Sequence, residues 1–174
     1  TDNNRLMVID MINGKYKHNN IQSWQLGGLL LGLCECNDKE AKEAINKLII
    51  KLIDKDGNWV TKPTNVDCGL LSYAILKNSK DYKKIKPAMD YSIGIIEKNI
   101  CEDGMIAYTS DKNVDERYVD TLGFVCPFLQ LYSNIYAEEK FSKISLEQIN
   151  QYNKYGLLHD TYLPNHAYNP KNKL

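Results

Sequence analysis

Two aspartates at the starts of predicted helices are the residues whose type and spacing could do chemistry. Asp67 follows Val66 and Asp120 follows Val119, so each completes a Val-Asp pair in front of an apolar run. Paired carboxyls suit general acid–base chemistry, because one can hold and donate a proton while the other activates water or raises the pKa of the first. Such pairs are typical of enzymes that cleave glycosidic bonds.

Aromatic, histidine and basic side chains near these aspartates could complete a sugar site. The rings of Tyr108 and Trp59 could stack on sugar rings, and the guanidinium of Arg117 could pair with a uronate carboxylate. His159 and His166 lie in a C-terminal loop and are further candidate substrate contacts. These five residues are the predicted substrate-binding set.

Helix capping is the alternative role for both aspartates. A carboxylate at a helix N-terminus accepts a hydrogen bond from a free main-chain N–H group, and the helix dipole favours its negative charge. Capping alone would explain Asp67 and Asp120 without any chemistry. The sequence leaves both interpretations open.

Apolar periodicity predicts the helices that must position these residues. The stripe that contains Ile21, Leu26 and Leu29 also contains Trp24, so we expect Trp24 to be part of the core. Strand patterns are limited to residues 105–109 and 116–119, which flank a polar turn at 110–113 and predict a small hairpin. The predicted helices cover residues 5–13, 21–36, 39–54, 65–78, 81–99, 118–137 and 146–155.

A repeated turn organises these helices. Asp56-Gly57 precedes the first Val-Asp helix start, and Asp103-Gly104 precedes the second. This order is typical of stacked helical hairpins, in which equivalent loops emerge on one side. We therefore predict that residues 1–174 form a single all-α domain. Its hairpin repeats would make about half of an (α/α)6 toroid with a small β-ribbon insertion, and both aspartates would lie on one rim.

A longer motif surrounds the second aspartate. The segment from Arg117 to Leu129, with Val119-Asp120 and Pro127-Phe128-Leu129, resembles a helix start of the unsaturated rhamnogalacturonyl and glucuronyl hydrolases, which are six-hairpin glycosidases. Residues 65–71 are similar to an earlier aspartate-containing helix start of that group. Residues 156–168 are similar to the loop that carries a histidine there. The resemblance therefore implies an (α/α)6 barrel and glycoside hydrolase activity.

The resemblance also implies a mechanism. An aspartate protonates the double bond of a 4,5-unsaturated uronic acid, and water adds to the neighbouring carbon without a metal or cofactor. By position, Asp120 would be the proton donor and Asp67 its carboxylate partner, with His159 or His166 as a substrate contact. The expected substrate is an unsaturated or acidic oligosaccharide.

The number of predicted helices leaves three interpretations open. The chain has helices for only about half of such a barrel. It could be a fragment of a longer enzyme, or two copies could complete the toroid as a homodimer. It could also be a non-catalytic binding module, such as an inhibitor or immunity-type protein, whose concave face binds another protein.

Composition argues against several other classes. The 22 basic and 22 acidic residues balance, so no overall field attracts nucleic acid. Apolar runs are too short to span a membrane. The five cysteines are an odd number without a CxxC pair, so we predict reduced, mostly buried thiols, no metal site and a cytoplasmic protein.

Overall fold

The computed structural model describes residues 6–10, 23–36, 38–108, 116–158 and 160–171. These residues are mostly helical, with one small two-stranded sheet, and residues 6–10 form a short helical segment. The predicted all-α class with a small β insertion is confirmed. The named elements are α1 (Ser23–Glu35), α2 (Lys39–Leu52), α3 (Cys68–Asn78), α4 (Tyr82–Lys98), β1 (Arg117–Tyr118), α5 (Val119–Tyr136), α6 (Glu139–Tyr155) and β2 (Ala167–Tyr168).

Helices α1, α3 and α5 form an inner layer in which α3 packs between the other two. These helices are apolar on most sides, as a helix buried on several faces must be. Glycines allow their close approach: a Cβ on Gly27 would lie 2.7 Å from the nitrogen of Leu71 in α3. A Cβ on Gly69 would lie 2.4 Å from the carbonyl oxygen of Phe124 in α5. These contacts join the first two turns of the three helices, so the three N-termini meet at one end of the layer.

Helices α2, α4 and α6 form an outer layer, and each packs on the inner helix that precedes it. They are amphipathic, with charged residues on the opposite side from the core. Aspartates cap two of them: Asp38 Oδ1 accepts from the N–H of Ala41 at 2.8 Å, and Asp81 Oδ1 accepts from the N–H of Lys84 at 3.0 Å. The elements therefore pair as helical hairpins, one inner and one outer helix in each.

The repeated Asp-Gly turns connect one hairpin to the next. Gly57 and Gly104 have φ values of 84° and 79°, in the left-handed region that favours glycine. The first turn docks on α4, where Gly57 accepts a hydrogen bond from the N–H of Ala88 at 3.0 Å. The second docks on α6, where the Gln148 side chain accepts from Ile106 N–H at 2.7 Å and donates to the Gly104 carbonyl at 2.8 Å. Each turn is thus held by the outer helix that follows it.

The small sheet pairs different segments from those predicted. β1 pairs antiparallel with β2 near the C-terminus, and not with residues 105–108. Ile106 instead bridges Ile100 within its own turn, while the predicted turn at 110–113 lies outside the described residues. The hydroxyl of Tyr152 donates to the Asn165 carbonyl at 2.5 Å, and the Val119 N–H donates to the His166 carbonyl at 2.9 Å. These contacts bring the C-terminal segment beside β1.

The last helix is also longer than predicted. It begins at Glu139, seven residues before the expected start at 146, because α5 ends at Ala137 in a left-handed conformation with φ 57°. The first turn of α6 is mostly polar, which hides the helical pattern in the sequence. Phe141 is its apolar anchor and is fully buried in the core.

Candidate functional site

The candidate site lies at the end of the inner layer where α1, α3 and α5 begin. We call this end the rim. Asp67 is the residue before α3, and Asp120 is the second residue of α5. Trp24 lies in the first turn of α1, and its ring contacts that of Phe124 in α5 with centroids 6.2 Å apart. The close packing of the three helices therefore gathers residues that are almost a hundred positions apart.

Tyr108 connects the two aspartates. Burial raises the pKa of Tyr108, and the negative charges of Asp67 and Asp120 raise it further. Both carboxylates must therefore lie close enough to act on a single phenol. The two aspartates share one rim, as the repeat of the Val-Asp helix start predicts.

Asp67 makes no standard cap of α3, although its carboxylate accepts from the main-chain N–H groups of Trp24, in the first turn of α1, and of Cys68. Its side chain makes no capping hydrogen bond to α3, and only 6% of the residue is exposed. Burial raises the pKa of its carboxyl, and the main-chain N–H groups of Trp24 and Cys68 oppose this shift only in part. Asp67 is thus a buried carboxyl that holds a proton more readily than an ordinary aspartate.

Asp120 differs from Asp67 in its surroundings. It is exposed, and Tyr118 rather than Asp120 occupies the capping position of α5. Burial raises the pKa values of Tyr108 and Tyr152, and the charge of Asp120 raises both further. The rim therefore combines one buried and one exposed carboxyl.

A row of ring side chains runs along the rim. Each ring contacts the next, and we call the set the aromatic row. The centroid distances are 6.2 Å from Trp24 to Phe124, 6.3 Å from Phe124 to Tyr108, 6.3 Å from Tyr108 to Tyr118 and 5.4 Å from Tyr118 to His166. Tyr108, the ring that both aspartates influence, is the middle member.

Trp59 and Arg117, two of the predicted substrate contacts, are occupied elsewhere. Trp59 is only 5% exposed, and its indole N–H donates to the Ala88 carbonyl at 2.8 Å and to Ser92 Oγ at 3.2 Å. Arg117 is 6% exposed, and its Nε donates to Asp103 Oδ2 at 3.1 Å. Burial therefore withdraws the Trp59 ring from the surface where a sugar could stack, and Asp103 takes the guanidinium that a uronate would need.

The remaining predicted contacts divide between the rim and the undescribed residues. Tyr108 and His166 belong to the aromatic row, and His166 is exposed at its end. His159 lies outside the described residues. Trp24 and Phe124 were missed, since periodicity assigned Trp24 to the core although it is 38% exposed. Two signals could have found them: Trp24 lies in the first turn of an inner helix, and Phe124 follows Asp120 by one helical turn.

Other chemistries find little support in the part of the chain that is described. Among those residues, no group of three or more His, Cys, Asp or Glu side chains could hold a metal ion. All five cysteines are free thiols, and burial raises the pKa of Cys68 to about 12 and that of Cys126 to about 11. None of the described helices is long and apolar enough to cross a membrane.

Comparison with known proteins does not assign this chain to a family. A scan of the sequence against protein-family models finds no match, and a search of curated proteins finds none either.

Proposed function

We propose that the rim binds an oligosaccharide and hydrolyses it, in the manner of a glycoside hydrolase that acts on an unsaturated uronyl end. One observation carries this proposal: the charges of Asp67 and Asp120 both act on Tyr108, at the middle of the aromatic row. Aromatic rings stack on the apolar faces of sugars, while carboxyls supply the acid and base of glycoside chemistry. The resemblance around Asp120 supports the same substrate.

The two carboxyls have different roles in this proposal. Asp120 is exposed, so it reaches the substrate and transfers its proton to the double bond. The resulting Asp120 carboxylate then takes a proton from the water that adds to the neighbouring carbon, which regenerates the acid. Asp67 is buried with a raised pKa, which suits a carboxyl that holds a proton more readily than an ordinary aspartate. The hydroxyl of Tyr108 lies within the field of both carboxyls and can donate a hydrogen bond to the substrate.

Arg117 has no part in this proposal. Its guanidinium is committed to Asp103, so a uronate carboxylate would have to be bound by other groups. The test therefore has to measure turnover directly and cannot rely on charge recognition.

The test is the ultraviolet absorbance of an unsaturated uronyl disaccharide, whose conjugated double bond disappears on hydration. We expect the wild-type protein to remove this absorbance and Asp120→Asn to leave it unchanged. Tyr108→Phe keeps the ring but removes the hydroxyl, so it should retain binding and slow turnover strongly. Asp56→Asn is the matched control, because Asp56 is an exposed aspartate in the first Asp-Gly turn.

Circular dichroism has to show that each variant is folded. A folded wild-type protein that leaves the absorbance unchanged at high concentration would refute the catalytic proposal. Saturable binding of the disaccharide without turnover would instead indicate a sugar-binding protein that has no hydrolase activity. Equal activity of wild type and Asp120→Asn would refute the assigned role of Asp120.

A further inference from the structure

The aromatic row continues on both sides of the carboxylates. Trp24 lies two ring contacts from Tyr108 in one direction, and His166 lies two ring contacts away in the other. The two ends are more exposed than the middle: Trp24 is 38% exposed and His166 is also exposed, while the three rings between them are half-buried. The row therefore offers its most accessible rings away from the reacting centre.

A disaccharide would leave these ends uncovered. Each step of the row is 5.4–6.3 Å long, which is comparable to one sugar unit of a chain. A disaccharide bound beside Tyr108 would reach its direct neighbours only. Exposed aromatic surface next to polar groups is typical of a ligand-binding groove.

We propose that the rim is a groove for an oligosaccharide chain longer than a disaccharide, with Trp24 as the sugar platform at one end and His166 at the other. This inference rests on the proposed function for the class of ligand and for the position of the reacting centre. The bound chain crosses Asp67 and Asp120 and stacks on Trp24 beyond them. Affinity should consequently increase with chain length.

The experiment measures binding of saturated oligogalacturonates of two, four and six units by calorimetry. These chains lack the double bond, so the proposed reaction cannot consume them. A parallel series of cello-oligosaccharides separates the effect of length from that of charge. We expect tighter binding of four units than of two in at least one series.

Trp24→Ala should lower the affinity for four units by about 2- to 10-fold, the range of one aromatic contact, and leave the affinity for two units unchanged. Trp24→Phe keeps a ring and should restore part of the loss. Tyr82→Ala is the matched control: Tyr82 is 40% exposed, but it begins α4 and so lies at the opposite end of the α3–α4 hairpin from Asp67.

Tryptophan fluorescence gives a second readout. The chain has two tryptophans, and Trp59 is buried, so ligand at the rim should change the emission of Trp24 alone. Four sugar units should shift the emission of the wild-type protein to shorter wavelength and leave that of Trp24→Phe unchanged.

The outcomes separate this inference from the proposed catalysis. Equal affinity for two and four units in both series, or an equal loss for both lengths in Trp24→Ala, would overturn the groove even if the unsaturated disaccharide is turned over. Absence of binding in both series would overturn it as well. Length-dependent binding through Trp24 without turnover would keep the groove and refute the hydrolase.

Discussion

Replacing Asp67 by asparagine should make the protein more stable at neutral pH. Burial raises the pKa of this carboxyl, so the folded protein disfavours its charged form. Asparagine keeps the shape of the side chain and removes the charge. The unfolded chain has an ordinary aspartate pKa of about 3.9, so the native protein binds this proton more tightly than the unfolded chain does. The stability contributed by the proton is therefore present below that pKa and lost as the pH rises toward the folded pKa.

The two aspartates that cap helices show how much stability a capping residue would lose. Asp38→Ala and Asp81→Ala each remove one capping hydrogen bond, of 2.8 and 3.0 Å, and should cost about 1 kcal/mol of unfolding free energy. Asp67 makes no capping bond of this kind to α3, and asparagine keeps an oxygen that can accept from the main-chain N–H groups of Trp24 and Cys68. The sign of the stability change at Asp67 thus distinguishes a functional carboxyl from a capping one.

The assay is equilibrium urea unfolding followed by circular dichroism at several pH values between about 4 and 8, with equal m-values as the check for two-state behaviour. The gain in Asp67→Asn should be small at the acid end and grow toward pH 7. A loss of about 1 kcal/mol at pH 7, with no dependence on pH, would refute the reasoning and return Asp67 to a structural role.

Two further predictions concern the turns and the ion pair. Gly57→Ala should lower the free energy of unfolding by about 3 kcal/mol or more in urea, because its Cβ would lie 1.7 Å from the Lys84 carbonyl oxygen. Gly104→Ala meets open space, so it should cost about 1 kcal/mol for its positive φ alone. Equal losses would contradict the docking of the first turn. Asp103→Ala should cost about 3 kcal/mol in thermal unfolding, because it leaves the buried Arg117 without its carboxylate; a loss below about 1 kcal/mol would mean that Arg117 is free to bind substrate.

Local sequence patterns were sufficient where the structure depends on neighbours in the chain. The helical periodicity of α2 and α4 repeats every turn, so their buried faces could be predicted from spacing alone. The Asp-Gly pairs mark positions of positive φ, which are set by the backbone of a few residues. The common rim of Asp67 and Asp120 followed from the repetition of one local unit.

Patterns failed where a role depends on a distant element. The sequence patterns place Trp59 at the site, whereas the structure buries it against α4. They place Trp24 in the core, whereas it is exposed on the rim. The strand that pairs with β1 lies about fifty residues further along the chain and has only two residues, too short for a sequence pattern.

The sequence by itself determined the helices, the hairpin order and the presence of two aspartates at equivalent positions, because these depend on local propensity and on periodicity. It could not decide whether those aspartates cap their helices or form a site. Only the tertiary structure sets their different surroundings, because the close approach of α1, α3 and α5 at Gly27 and Gly69 buries Asp67 and leaves Asp120 exposed. The same packing brings both charges close enough to Tyr108 to raise its pKa, which depends on residues far apart in the chain.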